Sequence, residues 1–452
     1  MKLTNPFRAP NLSHIPGPRG LKFISHMLHY QRDSLTALER SQREYGNFVS
    51  YPWPVSTVII YDPKVIKTIL FDKQQIYVKG VQTDQMRPVM GNGLATNSDR
   101  AGWIRNRAIV MKEMSAAALR SFAAVIEGLT EKELVLWTGG SVDLTYRMRK
   151  LTFEIVGRTL LGAELSQLDS DEVDEAVLFT SALAHEHMFR LLPIPYWVPV
   201  KKNREFKKHL ANMDRIVFRL IEEAKISKAN GKPPQSITER LVYSTHPETG
   251  ESLDDRALRD EILTLLIAGY ETTANSLIWI LGLLSEKPHL QSEIALEYNA
   301  NPKIESMEFT RTHPFLYRAI LEGIRLYTAI PMTSRKAQRD DLLGEFNVPQ
   351  DTSIVIPAWV LHRHSDFWED PLDFKPERFI GKDPNTMDHY IPFSKGGRRC
   401  VGEAFSLVEM AIILGKIVGR FQFSPMFSKL PAPVSHVSLK PASPVMVKTS
   451  FR

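Results

Sequence analysis

Cys400 is the only cysteine among 452 residues. It has no intramolecular disulfide partner, and a zinc site built from several thiolates is excluded. It stands in the run Phe393-Ser394-Lys395-Gly396-Gly397-Arg398-Arg399-Cys400-Val401-Gly402, and the apolar stretch 404–414 that follows reads as a helix. A thiol at a helix N-terminus is biased towards thiolate by the exposed N–H groups and the helix dipole. Such a group suits a nucleophile or a metal ligand, with a buried structural cysteine as the bland alternative. The neighbours favour the metal. Gly396 and Gly397 would let the backbone fold under a large flat ligand. Gly402 removes a side chain that would press on it, Arg398 would pair with an acidic group at its edge, and Phe393 would shield the sulfur from water. A haem iron held by a cysteine thiolate fits these features.

Three further groupings carry chemical potential. In Ala268-Gly269-Tyr270-Glu271-Thr272-Thr273, small residues admit something flat to the backbone, and an acid beside a hydroxyl would relay protons. The competing reading is a buried polar cluster that caps or kinks a helix. Trp103 and Arg107 are four apart and Glu322 and Arg325 three apart, so each pair shares a helix face.

These groups need elements to hold them. Residues 262–284 are almost long and apolar enough to span a bilayer, but Glu271 lies in the middle. A carboxylate there is costly in lipid, so a long core helix is expected, opened in capping-box style by Ser252-Leu253-Asp254-Asp255. Residues 33–45 read as a helix stopped by Gly46, 48–51 and 57–61 as a hairpin, and Asp62-Pro63 as another helix start. Residues 79–100 lack periodicity. Helices then run to about residue 190, where the proline-rich stretch 191–199 and the basic run 201–208 interrupt them. That interruption reads as a surface loop before a solvated helix face, or as an entrance that meets a membrane surface or a lipophilic substrate.

An apolar content of 43% and a charged content of 24% are those of a folded globular protein, and the chain is long enough to enclose a cofactor. A net charge of +6 permits a basic docking face without implying nucleic acid, for which no binding signature is present. Residues 1–20 contain neither a signal-peptide core nor a spanning segment.

The pattern Phe-x-x-Gly-x-Arg-x-Cys-x-Gly at 393–402 resembles the haem-binding signature of the cytochrome P450 family, with a complete match. Residues 268–273 resemble its oxygen-activation motif, with Tyr270 where relatives often carry histidine. Elements similar to the family's Trp-x-x-x-Arg, Glu-x-x-Arg and Pro-Glu-Arg-Phe (376–379) segments occur in the family's order, and the likeness runs from about residue 40 to the C-terminus. The resemblance implies a mainly α fold with small β-sheets. It implies a single domain over 1–452, in which 1–32 is a proline-containing entry segment without a membrane anchor. Haem b (iron protoporphyrin IX) would lie between the long central helix and the Cys400 turn. Cys400 would be the axial ligand, with Phe393, Gly396, Gly402 and Ala268 around the haem and Trp103, Arg107, Arg335 and Arg398 at its propionates. Glu271 and Thr272 would be catalytic, Glu271 delivering protons from solvent. Glu322, Arg325 and Arg378 would form a structural triad. Ile267, Ala268, Ile330, Met332 and Val445 would line an apolar substrate pocket.

The activity so implied is monooxygenation of a lipophilic substrate, by hydroxylation or epoxidation. The chain ends soon after the haem segment, so electrons are expected from a separate acidic ferredoxin- or flavodoxin-like protein with its own reductase, steered by Arg105, Lys112, Lys395 and Arg399. A monomeric cytoplasmic protein is expected, with at most peripheral membrane contact and no nucleic acid. A peroxygenase driven by hydrogen peroxide is one alternative, against which the intact Glu271-Thr272 pair counts. A non-enzymatic haem sensor or carrier is another. A thiol hydrolase is a third, and no histidine base lies near Cys400 in the sequence.

Overall fold

The computed structural model describes residues 10–162, 167–189 and 194–452; the start of the entry segment and positions 191–193 of the proline-rich break lie outside the described residues. Helix α1 (Gly20–Arg32) leads into α2 (Ser34–Tyr45). Asp33 caps α2 by accepting from the Thr36 N–H at 3.1 Å, and Gly46 ends it with φ +84°. Strands β1 (Phe48–Tyr51) and β2 (Thr57–Ile60) pair antiparallel. A short helix, Pro63–Lys67, is capped by Asp62 on the N–H groups of Lys64 and Val65. Each start and stop follows from a side chain that accepts an orphan N–H, or from a glycine that turns left-handed.

Strand β3 (Tyr77–Lys79) precedes two short helices, Val81–Asp84 and Arg87–Met90, in the stretch without periodicity. Among the longer helices are α3 (Arg100–Glu113), α4 (Leu144–Val156), α5 (Gln167–Phe189), α6 (Lys201–Ala229) and α7 (Asp255–Ser285). Beyond them lie α8 (Pro314–Leu326), β4 (Thr333–Ala337), β5 (Ser353–Ile356), α9 (Glu403–Arg420), β6 (Pro433–Ser435) and β7 (Leu439–Pro441). The largest sheet has the order β1-β2-β5-β4-β3. Its β3–β4 register places Lys79 opposite Arg335.

Helix α7 is the axis of the molecule. It is apolar around most of its circumference, with Ile262, Leu277 and Ile280 fully buried, and it packs on α4, α6, α8 and α9. A helix apolar on all sides belongs inside. Its cap is Asp254, which accepts from the Ala257 N–H at 2.7 Å, two residues later than Ser252 in the expected capping box. No helix of the described residues is long and apolar enough to cross a membrane.

Candidate functional site

The turn that carries Cys400 is closed by its own backbone. The Cys400 N–H donates to the Phe393 carbonyl at 3.0 Å. Ser394 and Gly396 take positive φ values of 58° and 68°. The reason for the glycines differs from the sequence reading. A Cβ on Gly396 would lie 1.9 Å from the Leu70 carbonyl oxygen, and one on Gly397 would lie 2.2 Å from Gln74 Oε1. These glycines admit the neighbouring segment 70–74, not a flat ligand. Gly402 differs: the nearest atom to a Cβ there is Cys400 Sγ at 4.0 Å, and both residues line a cavity of about 440 Å³. The exposed surface of Cys400 faces this cavity.

The thiol does not gain the acidity expected of a helix N-terminus. Helix α9 begins only at Glu403, after the Gly402 cap. Burial pushes the Cys400 thiol up, and the Gly402 N–H, Arg107 and Lys79 do not offset it. Desolvation outweighs the dipole here.

The cavity gathers cations that lack anions. Trp103 is buried on α3, with the Arg398 guanidinium 3.9 Å and that of Arg107 5.4 Å from its ring centroid. Arg398 Nη1 donates to the Asn97 carbonyl at 2.9 Å. Lys79, Trp103, Arg107 and Arg398 all line the cavity. Arg335 is not among the lining residues. It lies directly opposite Lys79 in the sheet and donates to Thr333 Oγ1 at 3.1 Å and to the Ser334 carbonyl at 2.9 Å. Burial, with repulsion from Arg335 and Arg398, drives Lys79 well below its ordinary range. Burial likewise lowers Arg107, and lowers Arg335 and Arg398 to about 10. None of the four cations has an acidic partner among the described residues. Three like charges around one space, with a fourth next to Lys79, fit a ligand bearing carboxylates, and a thiol in the same space fits a ligand bearing a thiophilic metal. Lys79 had no sequence signal, being a lone lysine in an aperiodic stretch.

Helix α7 supplies another part of the lining. Ile267, Ala268, Glu271 and Thr272 all reach the cavity. Thr272 Oγ1 donates to the Ala268 carbonyl at 2.7 Å. Tyr270 is outside the cavity lining; it is fully buried, and its hydroxyl donates to Asp174 of α5 at 3.2 Å. Ile330 and Met332 also line the cavity. Val445 does not. It is fully buried, 3.4 Å from where a Cβ on Gly282 would stand, and its carbonyl accepts from the Leu144 N–H at 3.0 Å. Residues 435–438 of the β6–β7 turn line the cavity instead, a contact between distant segments that periodicity does not reveal.

The aperiodic stretch is pinned to α7 by consecutive charged residues. Arg259 donates to the Val89 carbonyl at 2.8 Å, Asp260 accepts from the Asn92 N–H at 2.7 Å, and Glu261 accepts from the Leu94 N–H at 3.0 Å. Glu261 also accepts from Asn106 Nδ2 of α3 at 2.9 Å, and burial pushes its carboxyl up to about 7.

Glu322, Arg325 and Arg378 come together. Glu322 accepts from Arg325 Nε at 2.7 Å and Nη2 at 2.9 Å, from Arg378 Nε at 2.8 Å and from the Lys375 N–H at 2.9 Å. Arg325 Nη1 donates to the His362 carbonyl at 2.6 Å, and His362 Nε2 accepts from the Ile391 N–H at 2.9 Å. His362 thus joins the triad to the segment that leads into the Cys400 turn, a link no motif announces. Two of the four basic residues expected to face a partner are otherwise engaged. Lys395 is buried, and its ammonium donates to the carbonyls of Asn385 and Met387 at 2.9 and 2.7 Å. Arg399 is paired with Glu403.

The family model described as Cytochrome P450 matches residues 15–449. The chain is 26% identical over 421 residues to "Cyclooctatin synthase" of Streptomyces melanosporofaciens, covering 91% of this chain and 90% of that protein. It is 26% identical over 421 residues to "Cyclooctat-9-en-7-ol 5-monooxygenase" of the same organism, covering 90% and 89%. It is 26% identical over 411 residues to "Cytokinin hydroxylase" of Arabidopsis thaliana, covering 88% and 80%.

Proposed function

The chain belongs to the cytochrome P450 family and is a monooxygenase, and on that premise we propose how its own residues serve the reaction and what it acts on. The family's cofactor is haem, which we assign as haem b. The observation that carries the assignment is that the lone thiol shares one cavity with Lys79, Arg107 and Arg398, cations without acidic partners among the described residues. Cys400 would ligate the iron, and these cations, with Arg335 next to Lys79 and Trp103 against the Arg398 guanidinium, would hold the propionates.

When bound, the haem supplies reductive activation of O2: one oxygen atom enters a C–H bond or a double bond, and the other leaves as water after uptake of two electrons and two protons. The protein's part is positional. The Thr272 hydroxyl, already donating to Ala268, has lone pairs left to accept from a polar group in the cavity. Glu271, half-buried in the same lining, would pass protons inward from solvent. Phe393, half-buried and also in the lining, would limit water at the sulfur. The triad and His362 would hold the turn in register.

The substrate is a lipophilic small molecule, seated against Ile267, Ala268, Ile330 and Met332. The relative named for cyclooctat-9-en-7-ol, an unsaturated alcohol by its name, is compatible with such a substrate. Electrons come from an acidic ferredoxin- or flavodoxin-like protein with its own reductase. Its docking face would be α3, where Arg100 and Lys112 are exposed beside the exposed apolar Ile104 and Met111. In this reading the chain works as a single-domain monomer in the cytoplasm. The ferrous–CO absorption spectrum of the purified holoprotein tests the ligand. A thiolate-type Soret band is expected in wild type and is lost in Cys400→Ser; a histidine-type band in fresh, active protein overturns the assignment. Turnover with hydrogen peroxide alone, and none with electrons and O2, would overturn the monooxygenase route.

A further inference from the structure

We propose that His436, with Ser435 beside it, receives a neutral oxygen function of the substrate, a hydroxyl or a carbonyl. The enzyme would thereby prefer uncharged, oxygen-bearing lipophiles to plain hydrocarbons and to carboxylates. This rests on the monooxygenase reading of the cavity.

Ser435 and His436 both line the cavity. The Ser435 hydroxyl is buried without a hydrogen-bond partner among the described residues. A buried, unpaired hydroxyl is costly, and a ligand that pairs with it recovers part of that cost. The His436 ring lies 4.6 Å from the His185 ring at a tilt of 33°, and its side chain makes no hydrogen bond among the described residues. Stacking occupies ring faces and leaves the edge nitrogens for a ligand.

Charge decides the class. Burial, together with Lys440, keeps His436 neutral down to about 4, and burial with His436 and Lys440 does the same for His185. A neutral imidazole offers one donor and one acceptor, the complement of a hydroxyl and, through its donor, of a carbonyl. It brings no positive charge to a carboxylate. The cations that line the cavity do not supply one either: Lys79, Arg107 and Arg398 are assigned to the propionates, and Arg399 is paired with Glu403. A fatty-acid-like ligand would bury its carboxylate uncompensated.

The β6–β7 turn is also held still. Asn275 Nδ2 donates to Ser438 Oγ at 2.9 Å, and Trp279 Nε1 donates to the Leu439 carbonyl at 3.1 Å. The Leu439 N–H donates to the Ala329 carbonyl at 2.8 Å. Asn275 and Trp279 belong to α7, the helix that bears Glu271 and Thr272. A substrate oxygen held by this turn therefore fixes the carbon skeleton relative to the oxygen-activating residues, which is how regioselectivity is set by positioning.

The test is a titration of the holoprotein with four probes of one skeleton: cyclododecane, cyclododecanol, cyclododecanone and cyclododecanecarboxylate. The high-spin shift of the ferric haem reports binding. Wild type should bind the alcohol and the ketone roughly tenfold more tightly than the hydrocarbon, the scale of one net hydrogen bond, and the carboxylate most weakly. His436→Phe should bring the alcohol-to-hydrocarbon ratio to within about twofold of unity while leaving hydrocarbon affinity and the ferrous–CO band unchanged; His436→Gln should restore part of the ratio. Equal wild-type affinity for alcohol and hydrocarbon, tightest binding of the carboxylate, absence of a shift with all four probes, or an unchanged ratio in His436→Phe overturns the proposal. Failure of the monooxygenase reading would be seen separately, as a wild-type protein without the thiolate-type band.

Discussion

Removing the Glu322 carboxylate should cost more stability than any other single truncation around the Cys400 turn. Glu322 and Arg325 are fully buried, and the side chain of Arg378 is 9% exposed. In Glu322→Ala, Arg325 keeps its carbonyl acceptors on His362, Pro371 and Asp373 but loses its one anion among the described residues, and the Lys375 N–H loses its acceptor. Breaking a buried pair from one side costs about 3–5 kcal/mol, because the remaining charge stays desolvated. The residual exposure of Arg378 lets water reach one guanidinium, which argues for the lower half of that range. Even so, the loss is a large fraction of the roughly 5–15 kcal/mol that holds a domain folded. Glu322→Gln retains a carbonyl oxygen for one arginine and should lose about half as much. Denaturant unfolding of the holoprotein, followed by far-ultraviolet circular dichroism and by the Soret band, measures both. The Soret transition should precede the loss of helix in Glu322→Ala, since His362 links the triad directly to the segment entering the ligand turn. A Glu322→Ala protein within about 0.5 kcal/mol of wild type, with an intact thiolate-type band, would refute the view that the triad braces this turn.

Thr272→Ala should leave substrate affinity near wild type and divert reducing equivalents to hydrogen peroxide; the ratio of product formed to NADPH consumed measures it, and undiminished coupling would make Thr272 merely structural. Lys79→Leu should keep the fold, because a strongly disfavoured buried cation is removed, but should release haem on the order of tenfold faster in a transfer assay with an apo-haem acceptor. Lys112→Glu should slow first electron transfer from an acidic donor, and the wild-type rate should fall as salt rises, since exposed charges beyond about 8 Å are screened at physiological ionic strength; a rate indifferent to both would remove α3 as the docking face. Stability should also report Glu409, fully buried on α9 with no well-formed hydrogen bond, whose carboxyl burial raises to about 8. The folded protein keeps that proton where the unfolded chain, titrating near about 4.3, has released it, so this contribution is present at low pH and is lost as pH rises from about 5 to about 8. Half-buried His185 and His436, held to about 4, act in the opposite sense below about 6.5. The difference between wild type and Glu409→Gln isolates the carboxyl; a difference that does not fall over that interval would contradict its burial as a protonated acid.

Much of the local architecture could be read in the chain because its causes are local. Asp33 and Asp62 cap helices through side chains that reach N–H groups two or three residues away, and Gly46 ends a helix through its own φ. The unbroken apolar character of 262–284 was enough to place a long helix in the core, and the spacing of Trp103 and Arg107 put them on one face. The Cys400 signature likewise lies within ten successive residues, so family membership was legible before any folding. What the tertiary structure decided depended on approaches between distant parts of the chain. Gly396 is required by the Leu70 carbonyl, Arg398 is oriented by Asn97, and Lys79 joins the cation cluster only because β3 pairs with β4. Val445 and the 435–438 turn exchange expected places by the same logic: strand pairing and the contacts of α7 put one in the core and the other at the cavity. Lys395 was expected at the docking face from the family resemblance, yet two backbone carbonyls hold its ammonium inside. The sign of the Cys400 shift was the hardest to foresee. A helix dipole acts over one turn and can be read from neighbouring residues, whereas desolvation sums over every group that excludes water and exists only after the chain has folded.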